Sequence, residues 1–196
     1  MARPRSYNET DVLEAATQVF WAKGYEGTST RDLSACTGLT ASSIYAAFGD
    51  KRELFHRALD HYLATTLRER MARYEAVDSP SAGIRDFFAD VIERSGGDPG
   101  RRGCMMVNSV LEASAADARV GEAIAAELGA IESFLERRLT DARARGEIAA
   151  RVSPAAAAKH LLTLLMGIRV LARVPRDPAF LAEAVDQGLA SVGIRF

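Results

Sequence analysis

The chain of 196 residues is poor in cysteine, histidine and aromatic residues, and neither sign of charge is in excess. Two cysteines, Cys36 and Cys104, are too few for a disulfide-stapled scaffold. The three histidines, His56, His61 and His160, are scattered, and the first two stand five apart, on different faces of a helix. No Cys, His and carboxylate residues share a metal-ligand spacing, so no metal and no cofactor is expected. Gly96-Gly-Asp-Pro-Gly100 lacks the following Lys-Ser/Thr and the preceding strand of a phosphate-cradling loop. These gaps argue against an enzyme. With 25 Lys and Arg against 26 Asp and Glu, a polyanion must be met by a local patch and not by bulk charge. Long apolar runs are missing too: the most apolar stretch, Ala155 to Ala172, carries Lys159, His160 and Arg169. The N-terminus runs into polar Asn8-Glu-Thr-Asp11 in place of a signal core. A soluble, cytoplasmic protein without a membrane partner is expected. Period-two alternation is absent, which argues against strands.

What is present is helical periodicity. Val12, Ala15, Ala16, Val19 and Phe20 recur at i, i+3, i+4, i+7 and i+8, predicting a helix from Asn8 to Lys23, capped by Asn8 and stopped by Gly24. A second helix is expected from a cap at Thr30 to Gly38, with Leu33 inward and Cys36 against the first helix. A third runs from Ala41 to about Ala47, and a long fourth from the cap Asp50 to about Tyr74. Further helices are predicted over Ser81–Glu93, Cys104–Ser114, Asp117–Arg145, Pro154–Arg173 and Pro178–Val192, separated by Gly, Pro and Asp clusters. The fold class is all-α, with about nine helices: an N-terminal three-helix unit over residues 1–50 and a larger helical unit over 51–196.

Residues 28–48, TSTRDLSACTGLTASSIYAAF, have the spacing of two helices crossing steeply through a tight turn at Gly38, anchored by Leu33, Leu39 and Ile44. The second of these helices starts with small polar residues, Thr40, Ala41, Ser42 and Ser43, which let its tip enter a major groove about 12 Å wide. Thr30, the Tyr45 hydroxyl and Lys51 suit phosphates, and Arg3 and Arg5 could add contacts from an N-terminal arm. Up to residue 60 the basic residues, Arg3, Arg5, Lys23, Arg31, Lys51, Arg52 and Arg57, are outnumbered by the acids Glu9, Asp11, Glu14, Glu26, Asp32, Asp50, Glu53 and Asp60. Few phosphate contacts per subunit are therefore available, and tight binding calls for a dimer.

Thr30-Arg-Asp-Leu-Ser34, Gly38-Leu-Thr40, Ser43-Ile-Tyr45, Phe48 and Asp50-Lys-Arg-Glu-Leu-Phe55, with the preceding Phe20-x-x-x-Gly24-Tyr25-x-x-Thr28, closely resemble the DNA-binding domain of TetR-family transcriptional regulators. The resemblance covers roughly residues 8–56. It implies a dimeric, all-helical repressor that binds a palindromic operator in double-stranded DNA and is released by a small-molecule effector. It also implies DNA contacts from Thr30, Thr40, Ala41, Ser42, Ser43, Tyr45 and Lys51. Where the family often has His between the Tyr and the Phe, this chain has Ala46 and Ala47. The rival reading from another class is a helical ligand carrier that does not bind DNA.

Leu161, Leu164, Leu165 and Ile168 form one stripe, and Leu181, Val185 and Leu189 another; they are expected either to pair with a second copy in a homodimer or to form an intramolecular core. Phe88, Met105, Met106, Asn108, Glu112 and Phe134 are the candidate effector contacts, with plain core packing as the alternative. Arg101-Arg-Gly-Cys104 resembles the Gly-Cys opening of a central helix in a subset of these regulators, some of which respond to oxidants or electrophiles. Two nearby arginines are suited to raising the thiolate fraction of Cys104, and a small buried packing residue is the alternative.

Overall fold

The computed structural model describes residues 7–112, 117–175 and 177–195. Arg3 and Arg5 of the expected arm, and the expected helix end at Ser114, lie outside the described residues. Helix α1 spans Glu9–Gly27, with Asn8 Oδ1 accepting from the Thr10 amide at 3.0 Å. Its buried residues Val12, Ala16 and Phe20 recur every four positions, so one face packs along α4 (Lys51–Tyr62). Gly24 does break the helix, with φ 73° and ψ 174°, but a last turn continues to Gly27. The left-handed φ requires the glycine; the exposed Glu112 carboxylate also lies where a Cβ would project, but it is the movable end of a side chain.

Helix α2 (Thr30–Thr37) is capped one residue earlier than the sequence suggests. Ser29, not Thr30, accepts from the Asp32 amide, and Asp32 returns the bond to the Ser29 amide. Gly38, at φ 68°, ends α2 and turns the chain into α3 (Ala41–Phe48). Asp50 caps α4 through the Glu53 amide at 2.8 Å. The expected long fourth helix is present as one rod of three parts: α4, a π-helical stretch Leu63–Arg68, and α5 (Glu69–Glu75). The widened middle has no counterpart in the periodicity.

The rest of the chain forms α6 (Pro80–Gly96), α7 (Met105–Glu112), α8 (Ala118–Ala144), α9 (Pro154–Leu171) and α10 (Pro178–Ser191). Counting the rod once gives nine helices and no strand among the described residues. Long α8 packs along α9 and α6, and Phe87, Phe88 and Phe134 fill the space between, with the Phe87 and Phe134 ring centroids 5.6 Å apart. Helix α9 has the length and composition of a membrane span, yet Leu161, Leu165 and Ile168 are buried within the protein and Lys159 and Arg169 interrupt it. One carboxylate ties the rod that begins at α4 to α8. Asp117, the cap of α8, accepts from Arg52 Nε and pairs with His56 Nε2 of α4, both at 2.7 Å.

Candidate nucleic-acid interface

Leu33 of α2 and Ile44 of α3 are wholly buried, with Leu39 half-buried in the turn between them. These anchors leave the opposite side of α3 to solvent. Thr40 sits at its N-terminus with its Oγ1 accepting from the Ser43 amide at 3.2 Å, while the Ser42 and Ser43 hydroxyls lie 3.0 and 2.9 Å from that same oxygen. Thr40, Ser42 and Ser43 are exposed, and Ala41 is half-buried beside them. The tip is thus a knot of three hydroxyls at a helix start, small enough to approach base edges and built to donate as well as accept.

The flanking groups form the rim. Because Ser29 does the capping, the Thr30 hydroxyl is available to meet the Tyr45 hydroxyl at 2.6 Å, which sets both at one edge of the tip. Lys51 Nζ lies 4.5 Å from the Tyr25 ring centroid, at the first residue of α4. Stacking on the ring limits the ammonium's wandering and holds a positive charge at a helix start, where a phosphate is favoured. Of the residues sequence reasoning names, Thr40, Ser42 and Ser43 meet at the tip with Ala41 beside them, Thr30 and Tyr45 meet each other, and Lys51 stands apart from them at the start of α4 against Tyr25. Sequence reasoning misses Tyr25 and Ser29, which orient Lys51 and Thr30. The Ser29-x-x-Asp32 spacing is a capping-box signature and could have revealed the second.

Two family models cover most of the chain: bacterial regulatory proteins of the tetR family match residues 12–58, and the tetracyclin repressor-like C-terminal domain matches residues 80–187. The chain belongs to the TetR family. It is accordingly a DNA-binding transcriptional regulator, and not an enzyme. Among relatives, the uncharacterized HTH-type transcriptional regulator YezE of Bacillus subtilis is 29% identical over 191 residues, covering 97% of this chain and 98% of that protein. The HTH-type transcriptional repressor ComR of Escherichia coli is 28% identical over 172 residues, 87% of this chain and 82% of that one. Among solved structures, a cysteine mutant of the TetR-family regulator CifR, complexed with 26-bp double-strand operator DNA, superposes with a TM-score of 0.85 at 30% identity over 97% of this chain and 100% of that one.

Two expected sets in this TetR-family regulator sit mostly where the alternative readings, core packing within one subunit, put them. Phe88, Met105, Met106 and Phe134 are core residues, each 1% exposed or less. Asn108 donates to the Arg102 carbonyl and accepts from Arg173, and Glu112 is exposed at Gly24. None of the six lines the cavity of about 500 Å3 that opens between α1, the α4–α5 rod, α6 and α9. Periodicity marks a residue as inward and does not separate a cavity wall from solid packing. The same holds for the expected dimer stripe. Leu161, Leu165, Ile168, Val185 and Leu189 are buried within one chain, Leu181 is 9% exposed and Leu164 half-buried. The outward face of α9 and its end instead shows Thr163, Gly167, Val170 and Val174. Cys36 is half-buried in α2, and Cys104 is buried ahead of α7 with the Tyr62 hydroxyl donating to its sulfur at 3.4 Å. The Arg102 side chain is engaged with Asp98, Gln18 and Trp21 and not with the thiol.

Proposed function

We propose that this regulator is a repressor that binds a two-fold palindromic operator as a homodimer and is released by a small-molecule effector. In this reading residues 1–50 are the reading head, residues 51–196 hold the effector and the dimer contact, and the protein works in the cytoplasm, where its operator lies. The observation that carries it is the exposed hydroxyl tip of α3, supported from beneath by Leu33 and Ile44. Relatives named as repressors, ComR and BdcR of Escherichia coli among them, support the sign of regulation. The effector acts by binding more tightly to the arrangement in which the two heads no longer match the operator; equal affinity for both arrangements would move nothing. The rod from Lys51 to Glu75 joins the head to the bundle and is the lever.

A gel shift with the DNA upstream of the regulator's own gene, repeated over a range of salt, tests the assignment. Lys51→Ala is expected to weaken binding to all duplexes alike and to lower the salt slope by about one for each phosphate no longer neutralised, whereas Ser42→Ala is expected to alter base preference. A Lys51→Ala protein with an unchanged slope removes Lys51 from the interface.

A second reading, release through reaction of a thiol, has one observation in its favour: Cys104 hydrogen-bonds Tyr62, which together with Gly103 walls the cavity. Against it, the sulfur is buried. With Cys104→Ser, release of the operator by hypochlorite is expected to be unchanged; loss of that release would establish the thiol as the sensor.

A further inference from the structure

The cavity between the head and the bundle is lined unlike an apolar effector pocket. Trp21 of α1 and Tyr62 of α4 form an aromatic wall, their ring centroids 5.3 Å apart, and Arg70 and Arg169 close the interior. Both arginines are buried, at 3% and 6% exposure. Arg70 Nη2 is ion-paired with Asp90 Oδ2 at 2.5 Å, and its buried Nε has no hydrogen-bond partner among the described residues. Arg169 has a single long hydrogen bond, 3.4 Å to the Ser95 hydroxyl. Burial first, and then the like charge of Arg169, pull Arg70 below the ordinary guanidinium pKa.

The acids around the cavity do not balance this charge. Asp90 is shared between Arg70 and Arg94, whose Nε is 2.9 Å away, and Asp98 is taken up by Arg102. Glu93 is exposed at the rim. Inside, Arg70 is paired with Asp90 while Arg169 meets no carboxylate among the described residues, so one buried positive charge is left over. Burying a guanidinium without a matching anion is unfavourable, so such a pair is a standing site for one more negative charge. A dianion would overshoot the balance, and a planar carboxylate fits the guanidinium fork.

We infer that the effector is a small organic monocarboxylate, its carboxylate held by Arg169 and Arg70 and its apolar or aromatic body set against Trp21 and Tyr62. The inference rests on the effector-released reading above and names the chemistry of the ligand. The position of the cavity also accounts for signal transfer. Trp21 belongs to α1 of the reading head, and Arg102, from the loop after α6, lies over the Trp21 ring at 4.1 Å and donates to Gln18 of the same helix at 2.6 Å. A ligand seated on Trp21 bears on both the head and the loop that clasps it. The π-helical stretch Leu63–Arg68 places Thr66 in the same wall, with Tyr62 and Arg70 just before and after it. Such widened turns recur at functional sites.

Trp21 is the chain's single tryptophan, so its emission reports the cavity directly. The full-length protein is titrated with hexanoate, cyclohexanecarboxylate and 4-phenylbutyrate, each beside its neutral amide, and Trp21 fluorescence is followed. At least one acid is expected to give a saturable change, with its amide at least about tenfold weaker, the penalty expected for removing a hydrogen-bonded charge. Arg169→Met is expected to erase that preference and Arg169→Lys to restore part of it, with circular dichroism verifying that both variants are folded. Amides binding as well as acids, or no acid binding below about 5 mM, overturns the proposal. Operator release is scored separately on a labelled duplex. An acid that binds without releasing DNA leaves the carboxylate site standing and removes effector release; release with equal potency by acid and amide does the reverse.

Discussion

Gly167→Arg is expected to convert the regulator to a monomer and to weaken operator binding by about 10²- to 10⁴-fold, the advantage of engaging two half-sites at once. Gly167 lies in the C-terminal part of α9 on its outward face, and a Cβ built there meets nothing within 4 Å. A long side chain therefore enters without disturbing its own subunit. Replacing a helical glycine even favours the helix by roughly 0.5–1 kcal/mol. In a two-fold pairing of these faces, however, each protomer brings one arginine to an exposed surface that includes Thr163, Val170 and Val174, with His160 a turn before them. Like charges then meet in a desolvated seam. Sedimentation velocity gives the mass and a gel shift gives the affinity. A dimer that survives the substitution places the interface elsewhere. Leu165→Arg makes the contrast: Leu165 is buried in its own subunit, so that variant is expected to unfold instead of dissociating.

The largest stability effect is expected from Asp117→Ala, a loss of about 2 to 4 kcal/mol combining a helix cap with charge-assisted hydrogen bonds. Asp117 Oδ1 accepts from the Arg119 and Val120 amides at 3.1 and 3.4 Å, and Oδ2 takes Arg52 and His56. Once the carboxylate is gone, Arg52 is free to turn to solvent, but His56 is buried and is left without the partner of its Nε2. The same interactions set the acid response. The Arg52 guanidinium above all, with the His56 ring and the Val120 amide, holds the Asp117 carboxyl well below the usual carboxylate range, against the opposing effect of burial. A carboxyl with a depressed folded-state pKa contributes stability that is fully present above its unfolded value of about 3.9 and is lost as pH falls toward the folded value. Denaturant melts of the wild type are thus expected to weaken below about pH 4, and Asp117→Asn to flatten that decline. A decline of equal slope in the variant assigns acid sensitivity to other groups.

Local chemistry accounts for much of what is legible in one dimension. Helix ends follow from side chains a few residues away: Asn8, Asp50 and Ser153 cap, Gly38 turns, and Pro154 and Pro178 open helices where their missing amides are harmless. The tip of α3 is legible for the same reason, since Thr40 to Ser43 are small and polar where packing alone would favour apolar residues. Thr30 is mistaken for a cap because Ser29 and Thr30 are both able caps, and only the reciprocal bond from Asp32 decides between them.

Residue types and their spacing, then, were enough for the helices, their order and the exposed polar tip of α3, because those depend on interactions reaching no further than the next turn. Which leucines turn inward to their own subunit, and which surface is left for a second copy, depended on how α8, α9 and α10 lie against each other. The meeting of Arg70 and Arg169, 99 residues apart in the chain, beside Trp21 was settled the same way. Each arginine stands within an otherwise apolar stripe, Arg70 between Leu67 and Tyr74 and Arg169 between Leu165 and Ala172, and that irregularity is a trace of the cavity along the chain. Burying two like charges near each other is a property of packing, and it acquires a purpose only when the helices that carry them are brought together.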